Sequence, residues 1–214
     1  MSLIVEGVHH RYRATDPPVL AGVDMRAEPG QAVALVGPSG SGKTTLLAIC
    51  GGLLVPRAGE VTLHGAPMAR CMLRAQVSWV FQGTNALLAR TVLDNVVVRG
   101  LAQGHGRRAA TAEGLARLAA VGLADRADRT AGTLSGGELQ RVCVARALMG
   151  DPALVCADEP SGQLDAAATD AVVRSLLGSR GRRAIVLIAT HDPRVATACD
   201  RVVELADGLL EAAP

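Results

Sequence analysis

The chain has 214 residues, 49 % of them hydrophobic, and a formal net charge of +2. This length suits one large domain, or one domain with a small inserted lobe, and the apolar content is ample for a core. The near-zero charge argues against a nucleic-acid footprint, and Arg107-Arg108 and Arg182-Arg183 read as solvated pairs too small to form a basic stripe.

The chain begins β-rich: Leu3–Val8, Val19–Arg26, Gln31–Val36 and Glu60–His64 read as strands separated by Pro and Gly turns. Met1–Glu6 has neither a basic n-region nor a cleavage site, so no signal peptide is expected. The longest apolar run, Leu46–Val55, is half a membrane span and carries glycines, which predicts a soluble, cytoplasmic chain. Val77–Phe81 is a further buried strand ending at Gln82. From there to about Thr133, Ala, Arg and Leu dominate, and Ala109–Ala120 has helical spacing through Ala112, Leu115, Ala116 and Ala119. A small helical lobe is expected there. Glu138–Met149 predicts a helix with Leu139, Val142, Ala145 and Met149 on one face, stopped by Gly150 and Pro152. Leu154–Ala157 and Ala184–Ala189 are continuous apolar runs of the kind buried in a parallel sheet. Val202–Leu205, an Asp207-Gly208 turn and Leu209-Leu210 predict a closing hairpin. Strands alternating with helices predict an α/β fold. The cysteines (Cys50, Cys71, Cys143, Cys156, Cys199) are scattered and odd in number, fitting neither a disulfide framework nor a zinc site, and read mostly as small core hydrophobes.

The chemistry concentrates after the third strand. Gly37-Pro-Ser-Gly-Ser-Gly-Lys-Thr44 fills every defining position of a phosphate-binding loop, between the strand Ala32–Val36 and a helix opening at Thr45. Gly37, Gly40 and Gly42 allow the tight turn and let amide N–H groups approach phosphate oxygens. The helix N-terminus adds roughly half a positive charge. Lys43 would bridge β- and γ-phosphates and the Thr44 hydroxyl would ligate Mg²⁺, so the ligand class is a nucleoside triphosphate with Mg²⁺.

Leu154-Val-Cys-Ala-Asp158-Glu159 brings two carboxylates to the tip of a strand beside that loop. Asp158 would hold Mg²⁺ through water, and Glu159 would polarise the attacking water as general base. Ser135-Gly136-Gly137 at a helix start forms a second anion site. An N-cap serine alone would not require two glycines followed by Glu138, Gln140 and Arg141.

With Leu134-Ser-Gly-Gly-Glu138 running on into Leu139-Gln-Arg-Val-Cys-Val-Ala-Arg-Ala-Leu148, the chain resembles the nucleotide-binding subunit of an ATP-binding cassette (ABC) transporter over essentially its whole length. The resemblance implies a P-loop NTPase core with a mostly parallel sheet, an N-terminal antiparallel β subdomain and an inserted α-helical signature subdomain. Residues 1–81 and 150–214 would form the core and about 83–149 the helical part. It further implies that Gly37, Pro38, Ser39, Gly40, Ser41, Gly42, Lys43, Thr44 and Thr45 bind ATP, with Tyr12 stacked on adenine. Ser135, Gly136, Gly137 and Asp165 would complete the nucleotide site. Thr44, Gln82 and Asp158 would serve the metal, and Glu159, His191, Gln82 and Lys43 catalysis. His191 is expected on the γ-phosphate. His9, His10, His64 and His105 match nothing in the family and read as surface or turn residues.

The partners implied are a second nucleotide-binding subunit, facing the first head to tail, and a separately encoded membrane permease holding the chain at the inner face of the membrane. Nucleic acid is not among them. The stretch Ala157–Asp165 and the ending Thr190–Val203 are most similar to the group serving lipoprotein release, macrolide-type export and cell-division signalling, some of whose members are mechanical couplers. A soluble ABC ATPase acting on ribosomes or DNA would bring two cassettes, or a coiled coil or zinc modules in the lobe. Here one cassette is present and 53 positions separate Gln82 from Ser135. Departures from the family pattern are Ser161-Gly-Gln-Leu-Asp165, a short His64–Gln76 segment, a trimmed lobe after Asn95 that is glycine-rich over Gly100–Gly106, and Gly83-Thr84 after Gln82.

Overall fold

The structure, a computed structural model, describes residues 2–68, 76–162, 164–178 and 183–212. Cys71, Gln163, Arg182 and most of the short segment before Gln76 lie outside the described residues. The strands in chain order are β1 (Leu3–His10), β2 (Leu20–Ala27), β3 (Ala32–Val36), β4 (Ala58–Leu63) and β5 (Ala66–Pro67). They continue with β6 (Val77–Val80), β7 (Leu154–Asp158), β8 (Ile185–Ala189), β9 (Arg201–Ala206) and β10 (Leu209–Ala212). The helices are α1 (Lys43–Cys50), α2 (Val92–Ala102), α3 (Arg107–Ala120), α4 (Gly136–Ala147), α5 (Ala166–Gly178) and α6 (Pro193–Ala198).

Two sheets organise these elements. One is antiparallel, in the order β2-β1-β4-β5; the other runs β10-β9-β3-β8-β7-β6 and is parallel except for β10. Every residue of β7 and β8 is buried, because both faces of the parallel sheet are covered. Successive side chains therefore serve two different cores. Val33, Leu35, Leu154, Cys156, Ile185 and Leu187 join α1 and the antiparallel sheet on one side. Ala32, Val155, Ala157, Val186 and Ile188 join α2, α4 and α5 on the other. Cys50, Cys143 and Cys156 are buried as apolar filling, and Cys199 is half-buried. Asp207 and Gly208 both take positive φ (49° and 77°), the conformation a two-residue hairpin needs, and β9 and β10 pair across them.

Two expectations need correction. His10 is not a surface residue: it is only 5 % exposed. A bulge at Gly7 (φ 55°) shifts the β1 register between Val5 and Val8, so the inward set changes parity from Leu3 and Val5 to Val8 and His10. Second, α3 does not bury Ala112, Leu115, Ala116 and Ala119. Its inward face is Ala110, Gly114 and Leu118, and Leu115 is exposed. Gly114 sets this orientation, since a Cβ there would lie 2.7 Å from the Val97 Cγ1 of α2. The missing side chain lets the two helices close.

Candidate functional site

Because β3, β7 and β8 are parallel neighbours, their C-terminal ends meet at one edge of the sheet. The loop after β3 turns through Gly37, Gly40 and Gly42, at φ 142°, 82° and 102°. At Gly37 the need for glycine is also steric: a Cβ would sit 2.2 Å from the Leu205 carbonyl oxygen. α1 begins at N-cap Gly42 with no side-chain cap and no acidic residue in its first turn, which leaves its first N–H groups to a ligand. Lys43 is the only lysine of the chain. Its ammonium donates to the carbonyls of Gly37 (2.8 Å) and Pro38 (2.9 Å), so the cation is held over the loop.

Asp158 ends β7 in register with Ala189 of β8. Burial raises its pKa, partly offset by a hydrogen bond donated by the Thr44 hydroxyl; the Glu159 charge raises it further and Lys43 lowers it. A hydroxyl and a buried carboxylate brought together in this way match the oxygen donor set that Mg²⁺ takes. Glu159 follows with φ 45°, rare for a residue with a side chain, and its amide donates to the Ala189 carbonyl (2.9 Å). Its carboxylate is 2.9 Å from Nδ1 of His191, the residue after Thr190. The His191 ring is largely exposed while the Glu159 side chain is largely covered, at 73 % and 13 %.

These groups share a cavity of about 640 Å³ with Tyr12, Val19, Ser39, Thr45 and Gln82. Tyr12 bonds through its hydroxyl to Thr45 Oγ1 at 2.9 Å. Pro38 and Ser41 line an adjoining depression with Pro17, Pro18 and the Asp207-Gly208 turn. Ser135, Gly136 and Gly137 lie outside the cavity. Ser135 caps α4 in a reciprocal box with Glu138, whose carboxylate accepts the Ser135 N–H (2.9 Å). Asp165 caps α5 by accepting the Ala168 N–H at 2.8 Å.

Three contacts had no signal in residue type alone. Gln140 of α4 donates to the Phe81 carbonyl (3.2 Å), Cys143 to Asn85 Oδ1 (3.4 Å), and Arg146 to both oxygens of Asn85. Their spacing along one helix face was the available clue. Together they tie the helix that Ser135 opens to the loop that carries Gln82.

Comparison with known proteins agrees with this geometry. The family described as ABC transporter matches residues 20–162. The lipoprotein-releasing system ATP-binding protein LolD of Ruegeria pomeroyi is 45 % identical over 222 residues, covering 99 % of this chain and 97 % of the relative. LolD 1 of Rhodospirillum rubrum is 44 % identical over 203 residues, covering 91 % of this chain and 90 % of the relative. Among solved structures, the dimeric post-hydrolysis state of the ATP-binding cassette MJ0796 with ADP and Pi superposes with a TM-score of 0.88 at 28 % identity, over 98 % of each chain. With the phosphate loop and the paired carboxylates in place, the chain belongs to the ABC transporter family, as one of its ATP-hydrolysing subunits.

Proposed function

We propose that this protein binds and hydrolyses Mg-ATP as one of two copies that close head to tail, and that closing and opening drive a separate membrane permease. One observation carries the reading: the uncapped start of α1 borders the cavity, whereas Ser135, Gly136 and Gly137 at the start of α4 lie outside it. The uncapped start of α1 and Lys43 hold the β- and γ-phosphates, and Tyr12 offers its ring to the base. Ser135-Gly136-Gly137 serves the cavity of the opposite copy, with Asp165 near the join. Thr44, Asp158 and Gln82 are the residues that would hold Mg²⁺, which when bound supplies positive charge against the phosphate oxygens.

Glu159 takes the proton of the attacking water as its oxygen bonds to the γ-phosphorus and the bond to the β-phosphate oxygen breaks. The His191 nitrogen, 2.9 Å away, fixes that carboxylate and stands next to the transferred group. Residues 1–81 and 150–214 act as the nucleotide-holding core, and 83–149 as the lobe that contacts the permease. Among the described residues no helix is long and apolar enough to cross a membrane, so the permease would hold the subunit at the cytoplasmic face. The lipoprotein-releasing names of the relatives support a permease of that class.

Ser135→Arg tests the shared site. It should leave ATP binding by the single chain intact and reduce turnover at least ~100-fold, the scale of losing one transition-state donor. Unchanged turnover would place the whole site within one copy.

A further inference from the structure

Tyr12 is the only tyrosine of the chain, and its ring is 57 % exposed beside the phosphate loop. It is nevertheless held at three points. Its hydroxyl bonds to Thr45 Oγ1 at 2.9 Å. Its carbonyl accepts from Arg57 Nη2 at 3.3 Å, while Arg57 Nε reaches the Arg11 carbonyl at 3.3 Å. Its ring meets that of His10 at 85°, with centroids 5.2 Å apart. His10 is buried, and among the described residues neither ring nitrogen has a well-formed hydrogen bond, although the Val55 backbone favours its charged form. Burial and then the Arg57 charge outweigh that and hold its pKa below the ordinary value.

An imidazole buried with no more than a marginal backbone contact is a poor way to fill apolar space, because its nitrogens recover little of what they lose in leaving water. What the ring supplies here and an aliphatic side chain would not is an aromatic partner at the near-perpendicular geometry that ring quadrupoles favour. We propose that His10 is a positioning residue for the nucleotide base: with the Thr45 hydroxyl it fixes the tilt of Tyr12, so that the platform is set before nucleotide arrives. Pre-set geometry improves affinity by removing the ordering cost of a half-exposed side chain. This inference rests on the reading that Tyr12 stacks on the base.

The test uses ATP hydrolysis by the full chain, together with a ¹H–¹³C spectrum of protein carrying ¹³C-labelled tyrosine, which must show Tyr12 alone. His10→Leu should raise KM for ATP about two- to tenfold with kcat within twofold, the range of one aromatic pair, and should move the Tyr12 ring resonances. His10→Phe keeps an aromatic edge and drops the poorly satisfied nitrogens, so it should retain the KM of the unmodified protein. If His10→Leu does not fold, His10→Met removes the ring at similar volume and is read the same way. A KM unmoved by loss of the ring, or one raised equally in His10→Phe, overturns the positioning role. Tyr12→Ala separates the two layers: if it raises KM while loss of the His10 ring does not, the platform stands and only the positioning fails; if it leaves KM unchanged, the platform itself is wrong.

Discussion

At the scale of single residues, the site divides into groups that hold charge and groups that move a proton. Lys43, the one lysine among 22 basic residues, is proposed to hold phosphate charge, and its bonds to the Gly37 and Pro38 carbonyls keep it over the loop. Lys43→Ala should weaken ATP binding about 10- to 150-fold, as expected for a charge-assisted contact, measured by calorimetric titration. Glu159→Gln keeps the shape of the side chain and its reach to His191 but cannot accept a proton. It should bind ATP normally and turn over at least ~100-fold more slowly in single-turnover assays. A Glu159→Gln protein with ordinary turnover would assign the base elsewhere.

Residue types required at fixed spacing made Lys43, Asp158, Glu159 and His191 legible in the sequence. His10 was not, because the Gly7 bulge reverses which residues of β1 point inward. Counted by strict alternation from Leu3, His9 would be the buried histidine. His9 is instead the exposed one.

At the scale of elements, α4 links two parts of the mechanism. Its N-terminus presents Ser135-Gly136-Gly137, and its flank grips Phe81 and Asn85 around Gln82. A shift of α4 on the proposed docking with a second copy would therefore pull on the loop that carries Gln82, one of the residues proposed to hold Mg²⁺. The start of the helix depends on Glu138, whose pKa is lowered chiefly by the hydrogen bond from the Ser135 backbone, against a smaller opposing effect of burial, with the Ser135 hydroxyl and Arg126 assisting. Its folded pKa lies below its unfolded one. The stabilisation is therefore complete above the ordinary glutamate value of 4.5 and is lost as pH falls through the lower folded value. In urea titrations the margin of the unmodified protein over Glu138→Gln should be largest near neutral pH and shrink as pH falls below 4.5 through the lower folded value. A constant margin would contradict the cap.

Gly51 gives a second test at this scale. Its φ of −88° suits any residue, so the constraint is steric: a Cβ would lie 2.1 Å from the ring of Trp79, the sole tryptophan. Trp79 stacks on Phe81 at 5.4 Å, immediately before Gln82. Gly51→Ala should cost about 1–3 kcal/mol of stability and shift the Trp79 emission. Unmoved emission would show that the ring is not confined.

The inward face of α3 was illegible for a different reason. In an alanine-rich helix nearly every face is equally apolar, so periodicity carries little information, and the close approach at Gly114 decides instead. The strands of the parallel sheet were easy by contrast, since burial on both sides writes them as unbroken apolar runs.

At the scale of the whole molecule, Tyr12, Trp79 and Phe81 lie at the margin of the interior, with Trp79 packed against one core. No aromatic side chain is fully buried; Tyr12 borders the cavity, and Trp79 and Phe81 lead into Gln82. Aliphatic packing builds the two cores, and the parallel sheet between them delivers the phosphate loop, Asp158, Glu159 and His191 to one edge. Ser135, Gly136 and Gly137 at the start of α4 lie outside the cavity at that edge. The proposed second copy would bring them to it, held by the charge of the γ-phosphate and released when that charge leaves.

The most direct measurement is light scattering on purified Glu159→Gln with and without Mg-ATP. The predicted result is a single copy without nucleotide, two copies with it, and one copy again when Ser135→Arg is added to the same chain. A Glu159→Gln protein that binds ATP at full occupancy and remains a single copy would contradict the shared site.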